Sequence, residues 1–146
     1  MNCHKTSVGE LTNLILTGDE MDLVNKGPMA ELIAGLEMIK YKSPNLRHEL
    51  YYWQRNAKNS MAEVDYVSEH NMHILPIEVK AGTRGGMKSL WIFMREKKLS
   101  FALRCSMENF GKFDYEDTLD EDALREVRIC PLYAMSRIPT LLQENG

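Results

Sequence analysis

The fold is decided by two neighbouring segments in which apolar and polar residues alternate, Met61-Ala62-Glu63-Val64-Asp65-Tyr66-Val67-Ser68 and His73-Ile74-Leu75-Pro76-Ile77-Glu78-Val79-Lys80-Ala81. Such alternation is typical of β-strands, in which residues two apart point to the same face of a sheet. The short connection Glu69-His70-Asn71 predicts antiparallel pairing of the two strands. A third strand of the same meander is predicted just before them, in Leu50-Tyr51-Tyr52-Trp53-Gln54-Arg55.

Helical periodicity flanks this predicted sheet on both sides. An amphipathic helix is predicted over 28–41 from the spacing of Met29, Leu32, Ile33, Leu36 and Ile39, and a shorter one is predicted before it, ending at Gly18. After the glycines at 82–86, a helix over 87–98 and a strand over 99–105 are expected. The predicted order is αβββαβ, which makes the fold class α/β.

The last forty residues are expected to form an appendage to this core. The acidic stretch 108–126 is predicted to be a loop. A strand over 127–135 contains Pro131, which favours an edge position because proline donates no backbone hydrogen bond. A short helix over 136–143 is expected to close the chain.

Length and charge limit the classes of function. The chain has 146 residues, of which 44% are hydrophobic, so we expect one domain over 1–146. The net charge of −3 excludes a globally basic nucleic-acid-binding domain. The charged residues are unevenly distributed along the chain: residues 78–104 hold seven basic side chains and two acidic ones, a net charge of +5. Residues 108–126 hold eight acids against two basic side chains, a net −6.

The cysteines and the N-terminal sequence indicate an intracellular protein. Cys3, Cys105 and Cys130 have neither the number nor the spacing of a disulfide framework or a zinc motif, so we expect reduced thiols in the cytoplasm. No secretory signal pattern is present, and no apolar run approaches the roughly 18 residues of a membrane span. No membrane partner is therefore expected. A P-loop motif is also absent.

The alternation places charged residues together on the predicted sheet. Glu63 and Asp65 share one face of their strand, while Ala62, Val64 and Tyr66 share the other. On the next strand Glu78 and Lys80 oppose Ile77, Val79 and Ala81. Clustered carboxylates repel each other unless a cation intervenes, and Mg²⁺ prefers such oxygen ligands. The pattern is compatible with a metal site for phosphodiester hydrolysis, but taken alone it is more often a solvated strand face with an ordinary Glu–Lys pair.

Asp65 followed by Glu78-Val79-Lys80 resembles the bipartite signature of the PD-(D/E)xK nuclease superfamily. The predicted αβββαβ order is similar to the restriction-endonuclease-like core of that superfamily, a mixed central sheet flanked by helices. More closely, about residues 5–142 resemble the C-terminal domain of unknown function in prokaryotic AAA-type ATP-binding proteins. The motifs that carry this resemblance are Asn25-Lys26-Gly27-Pro28-Met29-Ala30-Glu31, Tyr52-Trp53, Ala62-Glu63-Val64-Asp65-Tyr66, Pro76-Ile77-Glu78-Val79-Lys80-Ala81-Gly82, Lys88-Ser89-Leu90 and Pro131-Leu132-Tyr133-Ala134.

The resemblance implies a role for each acidic residue and for the lysine. Asp65 and Glu78 would bind Mg²⁺ or Mn²⁺, and Lys80 would be the catalytic lysine. Glu31 lies where such nucleases often carry a helix acid that completes the metal site. Glu63 is a possible additional acid. The Pro-Asp pair of the superfamily name is replaced here by Val64-Asp65.

The resemblance also implies partners. DNA would be the substrate, and an AAA-type ATPase would act in cis, as in relatives, or in trans. Relatives carry an ATPase and a winged-helix segment before this domain, and this sequence has neither. We therefore expect a fragment, a split gene product or an isolated domain.

Two basic residues next to the acidic strands are possible phosphate contacts. Arg84 lies in the glycine-rich turn and Lys88 begins the following helix. A solvated helix face is the equally open alternative. The two functional hypotheses are a metal-dependent nuclease domain and a catalytically inactive interaction module with the same fold.

Overall fold

The computed structural model describes residues 26–41, 45, 49–57, 60–82 and 85–143. Its elements follow in the order α1 (Lys26–Tyr41), β1 (Tyr51–Ala57), β2 (Ser60–His70), β3 (His73–Val79), α2 (Lys88–Lys97), β4 (Phe101–Ser106), β5 (Gly111–Asp117), β6 (Ala123–Pro131), a 3₁₀ helix (Leu132–Arg137) and α3 (Ile138–Gln143). The short helix predicted before Gly18 lies outside the described residues.

A six-stranded sheet forms the centre, with its strands in the order β1-β2-β3-β4-β6-β5. β1, β2 and β3 pair antiparallel as the predicted meander. β4 pairs parallel with both β3 and β6, and β5 pairs antiparallel with β6. Parallel neighbours need a crossover, and α2 provides it between β3 and β4. The predicted α/β class, with a mixed sheet flanked by helices, is confirmed.

Two apolar clusters cover the two faces of the sheet. In the first, Ala30, Ala34 and Met38 of α1 pack with alternate residues of β3 (Leu75, Ile77 and Val79) and with the C-terminal helices. In the second, Leu90, Phe93 and Met94 of α2 pack against Val64, Ala102 and Val127. Among the described helices, none has both the length and the apolar character needed to cross a bilayer.

The prediction of a loop over 108–126 is wrong, because this stretch holds β5 and the first part of β6. Its acids lie mainly on the exposed face of β5 and in the turn that follows. Between them, aromatic residues alternate along β5 and lie on its other face. Phe113 and Tyr115 point towards α2, where the Trp91 ring stacks on Tyr115 with centroids 4.1 Å apart and meets Phe113 edge-on at 6.5 Å.

Asp117 ends β5 fully buried, between two guanidinium groups. It accepts hydrogen bonds from Arg95 of α2 at 2.7 and 3.1 Å and from Arg125 of β6 at 3.2 Å. These contacts fix the β5–β6 hairpin to α2 on one side of the sheet. The predicted edge position of Pro131 is also wrong, because β6 lies between β4 and β5. Proline is tolerated there because the pairing of β6 with β5 ends at Ile129, so the sheet has only β4 beside Pro131.

Candidate active site

The ladder between β2 and β3 ends beside Asp65. Pairing extends from His70 opposite His73 to Tyr66 opposite Ile77. Two residues further along β3, the Val79 N–H donates to the Asp65 carboxylate at 2.7 Å instead of to a backbone carbonyl. β3 meanwhile continues its pairing with β4, and the Lys80 N–H donates to the Cys105 carbonyl at 2.7 Å. The sheet therefore opens on the β2 side at the point where Asp65, Glu78 and Lys80 occur.

A bulge in β2 adjoins this opening. Tyr51 of β1 pairs with Val67, whereas Trp53 pairs with Val64, so β2 contains one extra residue between the two pairs. An extra residue reverses the alternation beyond it. Val64 and Val67 accordingly pack in the second cluster, whereas Tyr66 packs against the first. The sequence-based assignment of Tyr66 to the same face as Val64 is wrong for this reason.

The bulge directs Tyr66 towards α1. Its hydroxyl donates a hydrogen bond to the backbone carbonyl of Glu31 at 2.7 Å. α1 lies close because residue 35 is glycine, and a Cβ there would lie 2.7 Å from the Tyr66 hydroxyl oxygen. This close approach holds the helix segment that carries Glu31 beside the open end of the sheet.

Substitution of Gly35 by Ala tests this close approach. Alanine normally stabilises a helix by roughly 0.5–1 kcal/mol relative to glycine, but here the added methyl group collides with Tyr66. We expect the free energy of unfolding, measured in urea, to fall by about 1–3 kcal/mol.

The matched control for Gly35→Ala is Gly27→Ala in the same helix, where a Cβ meets nothing within 4 Å. It should be neutral or stabilising. Adding Tyr66→Phe to Gly35→Ala removes the colliding hydroxyl and should recover part of the loss. Equal effects of the two alanine substitutions would contradict the proposed collision.

Glu78 and Lys80 lie on the same face of β3, as their spacing predicts. The Lys80 ammonium pairs with Glu78 Oε1 at 2.5 Å. Glu78 is only 4% exposed, and its second carboxylate oxygen, Oε2, is buried without a hydrogen-bond partner. Burial raises the pKa of Glu78 to about 7, against the opposing effect of Lys80. A buried carboxylate oxygen without a donor is costly, so this atom is suited to a cation.

The remaining acids form one electrostatic group with this pair. Burial raises the pKa of Asp65, while the Val79 N–H and Lys80 lower it. Burial also raises the pKa of Glu31, and the charges of Asp65 and Glu63 raise it further. Lys80 is the cation that acts on Glu31, Asp65 and Glu78 alike.

No group of three or more His, Cys, Asp or Glu side chains within the described ranges is arranged to hold a metal ion. Glu31, Asp65 and Glu78 are thus electrostatically coupled without enclosing a common position. Magnesium in proteins is usually bound by one or two carboxylates plus waters and substrate oxygens. Asp65 and the free oxygen of Glu78 are two donors of this kind, and the charge of Asp65 raises the pKa of Glu78. The chemistry of this donor set suits a hard divalent cation, with Glu31 as a third acid of the group.

β4 adds a basic residue that the sequence did not single out. Arg104 pairs in parallel register with Glu78 and is 6% exposed. It forms an ion pair with Glu108 at 3.2 Å and donates to the carbonyl of Gly85 at 3.5 Å. Gly85 has a φ of 142° and lies against the Lys80 stem, since a Cβ there would be 3.2 Å from Lys80 Cδ. Only the parallel β3–β4 register, which the sequence does not specify, brings Arg104 to this site.

Comparison with known protein families matches residues 26–119 to the family described as Domain of unknown function (DUF4143). The chain belongs to this family. The matched range begins with α1 and ends in the turn after β5, so it contains all the acids of the site together with Lys80. No curated protein matches the chain.

The two predicted phosphate contacts of this DUF4143 domain stay predictions. Arg84 lies outside the described residues. Lys88 is exposed at the first residue of α2, eight residues after Lys80. Glu63 is exposed on β2 and influences Glu31 and Asp65 through its charge.

Glu78→Gln should stabilise the DUF4143 domain in the absence of metal. The folded-state pKa of Glu78, about 7, lies above its ordinary value of 4.5, so the carboxylate takes up protons more readily in the folded protein. The stability contributed by the protonated group is present at low pH and is lost as pH rises through 7. After allowance for the Lys80 pair, we expect a gain of about 1–2 kcal/mol for Glu78→Gln at pH 8 in urea and EDTA.

The control for Glu78→Gln is Glu69→Gln, at an exposed position of β2. It should leave the free energy of unfolding unchanged at both pH 5 and pH 8. The difference between wild type and Glu78→Gln should be small at pH 5. A Glu78→Gln protein that is less stable than wild type at pH 8 would contradict the assigned environment of this carboxylate.

Proposed function

We propose that this DUF4143 domain is a Mg²⁺- or Mn²⁺-dependent phosphodiesterase that cleaves DNA. The observation that carries the proposal is the buried Oε2 of Glu78, which lacks a donor and lies at the sheet opening marked by Asp65. Two carboxylates of raised pKa beside a lysine are suited to a cation and a phosphate group.

Each residue has a role in this proposal. Asp65 and Glu78 would hold the divalent cation, and Glu31 would complete its surroundings through water. A divalent cation bound there would polarise the phosphodiester and lower the pKa of a water molecule. Lys80 would orient the attacking water and stabilise the negative charge that develops on the phosphate.

The resemblance to PD-(D/E)xK nucleases supports the same assignment. Asp65 and Glu78-Val79-Lys80 follow the bipartite pattern, and the order of α1, β1–β3, α2 and β4 agrees with the αβββαβ core. The resemblance to the C-terminal domain of AAA-type ATP-binding proteins adds a partner to the proposal. The domain would serve an AAA-type ATPase, joined to it in cis in relatives or acting in trans.

The basic residues support a DNA substrate. Residues 78–104 carry a net +5, and this stretch includes Lys80, Lys88 and Arg104. Lys80 is partly exposed and could contact a phosphate at the opening, whereas Arg104 lies buried beside Glu78 and would contribute its positive charge from within the sheet. Arg84 and Lys88 would extend the phosphate contacts outwards.

A second candidate function is a catalytically inactive module that binds nucleic acid or protein for an ATPase. The observation that favours it is the Lys80–Glu78 ion pair, which neutralises Glu78 without a metal. A domain of this kind would keep the fold and the basic face, while Asp65 and Glu78 would only stabilise the folded structure through their hydrogen bond and ion pair.

Nicking of supercoiled plasmid DNA distinguishes the two functions. The purified domain is incubated with DNA in Mn²⁺, Mg²⁺ or EDTA, and binding to a labelled duplex is followed by fluorescence anisotropy. The nuclease proposal predicts nicking with Mn²⁺ or Mg²⁺ and none with EDTA. Binding without nicking under any of these conditions would overturn the proposal in favour of the inactive module.

A further inference from the structure

Two cysteines face each other on neighbouring strands outside the proposed active site. The parallel register of β4 and β6 places Cys105 directly opposite Cys130. Both are free thiols, both are buried, and both belong to the first apolar cluster. Neighbouring strands lie about 4.7–4.9 Å apart, and the Cα atoms of a disulfide lie about 4.4–6.8 Å apart. The register therefore satisfies the main backbone requirement of a disulfide.

A cavity gives access to one of the two thiols. It has a volume of about 310 Å³ and borders Cys130, together with Leu103, Phe110, Arg128, Ile138 and Leu142. Cys130 is 4% exposed, and Cys105 is fully buried beside it. A small oxidant in the cavity would thus meet Cys130 first, with Cys105 next to it.

We infer that Cys105 and Cys130 form a reversible disulfide site, which a small hydroperoxide oxidises from this cavity. The two thiols differ in the way that such a reaction requires. A hydrogen bond from Cys105 lowers the pKa of Cys130, whereas this hydrogen bond and burial raise the pKa of Cys105. The position of the cavity decides the roles: Cys130 borders it and is the attacking thiol, whereas Cys105 does not line it and is the resolving one. In the reduced state the Cys130 thiol donates a hydrogen bond to the Pro131 carbonyl at 3.5 Å.

The reaction balances with one hydroperoxide. The Cys130 thiolate attacks the terminal peroxide oxygen, and the O–O bond breaks to give a sulfenic acid and an alcohol, or water when the oxidant is hydrogen peroxide. The Cys105 sulfur then attacks Cys130, forming the S–S bond, and the sulfenic oxygen leaves as water with the Cys105 proton. Two thiols lose two electrons, and the peroxide gains them.

The disulfide would be linked to Lys80 through one backbone hydrogen bond. The Cys105 carbonyl accepts the Lys80 N–H at 2.7 Å, so a change in the backbone of Cys105 when its sulfur is bonded to Cys130 would reach Lys80 through this hydrogen bond. We expect oxidation to lower DNA cleavage at least about threefold. This consequence rests on the proposed nuclease function, whereas the disulfide itself does not.

Peptide mapping tests the disulfide. Cys3→Ser is used as the parent protein so that only the pair can react. Trypsin separates Cys105, in peptide 105–112, from Cys130, in peptide 129–137. After treatment of the folded protein with hydrogen peroxide, we expect these peptides to be joined and released by dithiothreitol. Unjoined peptides with free thiols, or with sulfinic acid at Cys130, would overturn the inference.

Two variants separate the disulfide from the nuclease function. Cys130→Ala and Cys130→Ser in the Cys3→Ser parent should form no joined peptide, and their cleavage rates should not respond to peroxide. Loss of cleavage in the oxidised parent, restored by dithiothreitol, supports the link to Lys80. A joined pair with an unchanged cleavage rate overturns that link. A parent without cleavage under any metal defeats the nuclease proposal, and the peptide map still decides the disulfide.

Discussion

Asp65→Asn and Lys80→Ala are each expected to reduce Mn²⁺-dependent plasmid nicking by at least about 100-fold. Asp65→Asn removes the charge with which Asp65 would hold the proposed cation, yet the Asn oxygen can still accept the Val79 N–H. Lys80→Ala removes a cation that acts on all three acids of the site. The measurement is the first-order rate of loss of supercoiled plasmid.

Matched controls distinguish lost chemistry from lost structure. Glu69→Gln changes an exposed acid of the same strand as Asp65 and should leave the nicking rate unchanged. Thermal unfolding and duplex binding should stay close to wild type in Asp65→Asn. Nicking at the wild-type rate in both site variants would assign the activity to another protein in the preparation.

Asp117→Asn is expected to lower the free energy of unfolding by about 3 kcal/mol, because it removes the buried anion shared by the buried Arg125 and the partly exposed Arg95. Asp117 is fully buried and bonds both Arg95 and Arg125. Arg125 itself is 2% exposed and also contacts Asp120 and the Leu99 carbonyl. Urea denaturation at pH 7 measures the loss.

The pH dependence of this loss of stability tests whether the charge of Asp117 causes it. Arg95, and secondarily Arg125, hold the pKa of Asp117 below its ordinary 3.8. The stability contributed by the charged form is complete above that value and is lost as pH falls through the lower, folded-state pKa. The difference between wild type and Asp117→Asn should therefore narrow in strong acid. Asp114→Asn, on the exposed face of β5, should cost less than about 0.5 kcal/mol; a cost equal to that of Asp117→Asn would contradict the account.

The sequence predicts the part of the fold in which local pattern and local contacts agree. β3 alternates strictly around Glu78, and a two-residue turn joins it to β2, so their antiparallel pairing and the Glu78–Lys80 face could both be predicted. α1 and α2 follow from apolar spacing. These elements position most of the proposed site.

The rest depends on contacts distant in sequence. The pairs Asp117–Arg95 and Tyr115–Trp91 join residues more than twenty positions apart in the sequence. Without knowledge of these contacts, the composition of 108–126 predicts an acidic loop. The bulge that turns Tyr66 towards Glu31 interrupts an alternation that looks regular in the sequence. Arg104 reaches Glu78 only through a parallel pairing across a helical crossover. In each case tertiary packing overrides the local signal.

Anomalous scattering from a crystal soaked in Mn²⁺ shows whether Asp65 and Glu78 bind a divalent cation. We expect a peak between the two carboxylates, at coordination distance from an oxygen of each and close to the roughly 2.1 Å typical of Mg²⁺. Lys80 should then contact water or phosphate rather than Glu78 alone. A fully soaked crystal with no peak there, and with the Lys80–Glu78 pair intact, would contradict the proposed cation site.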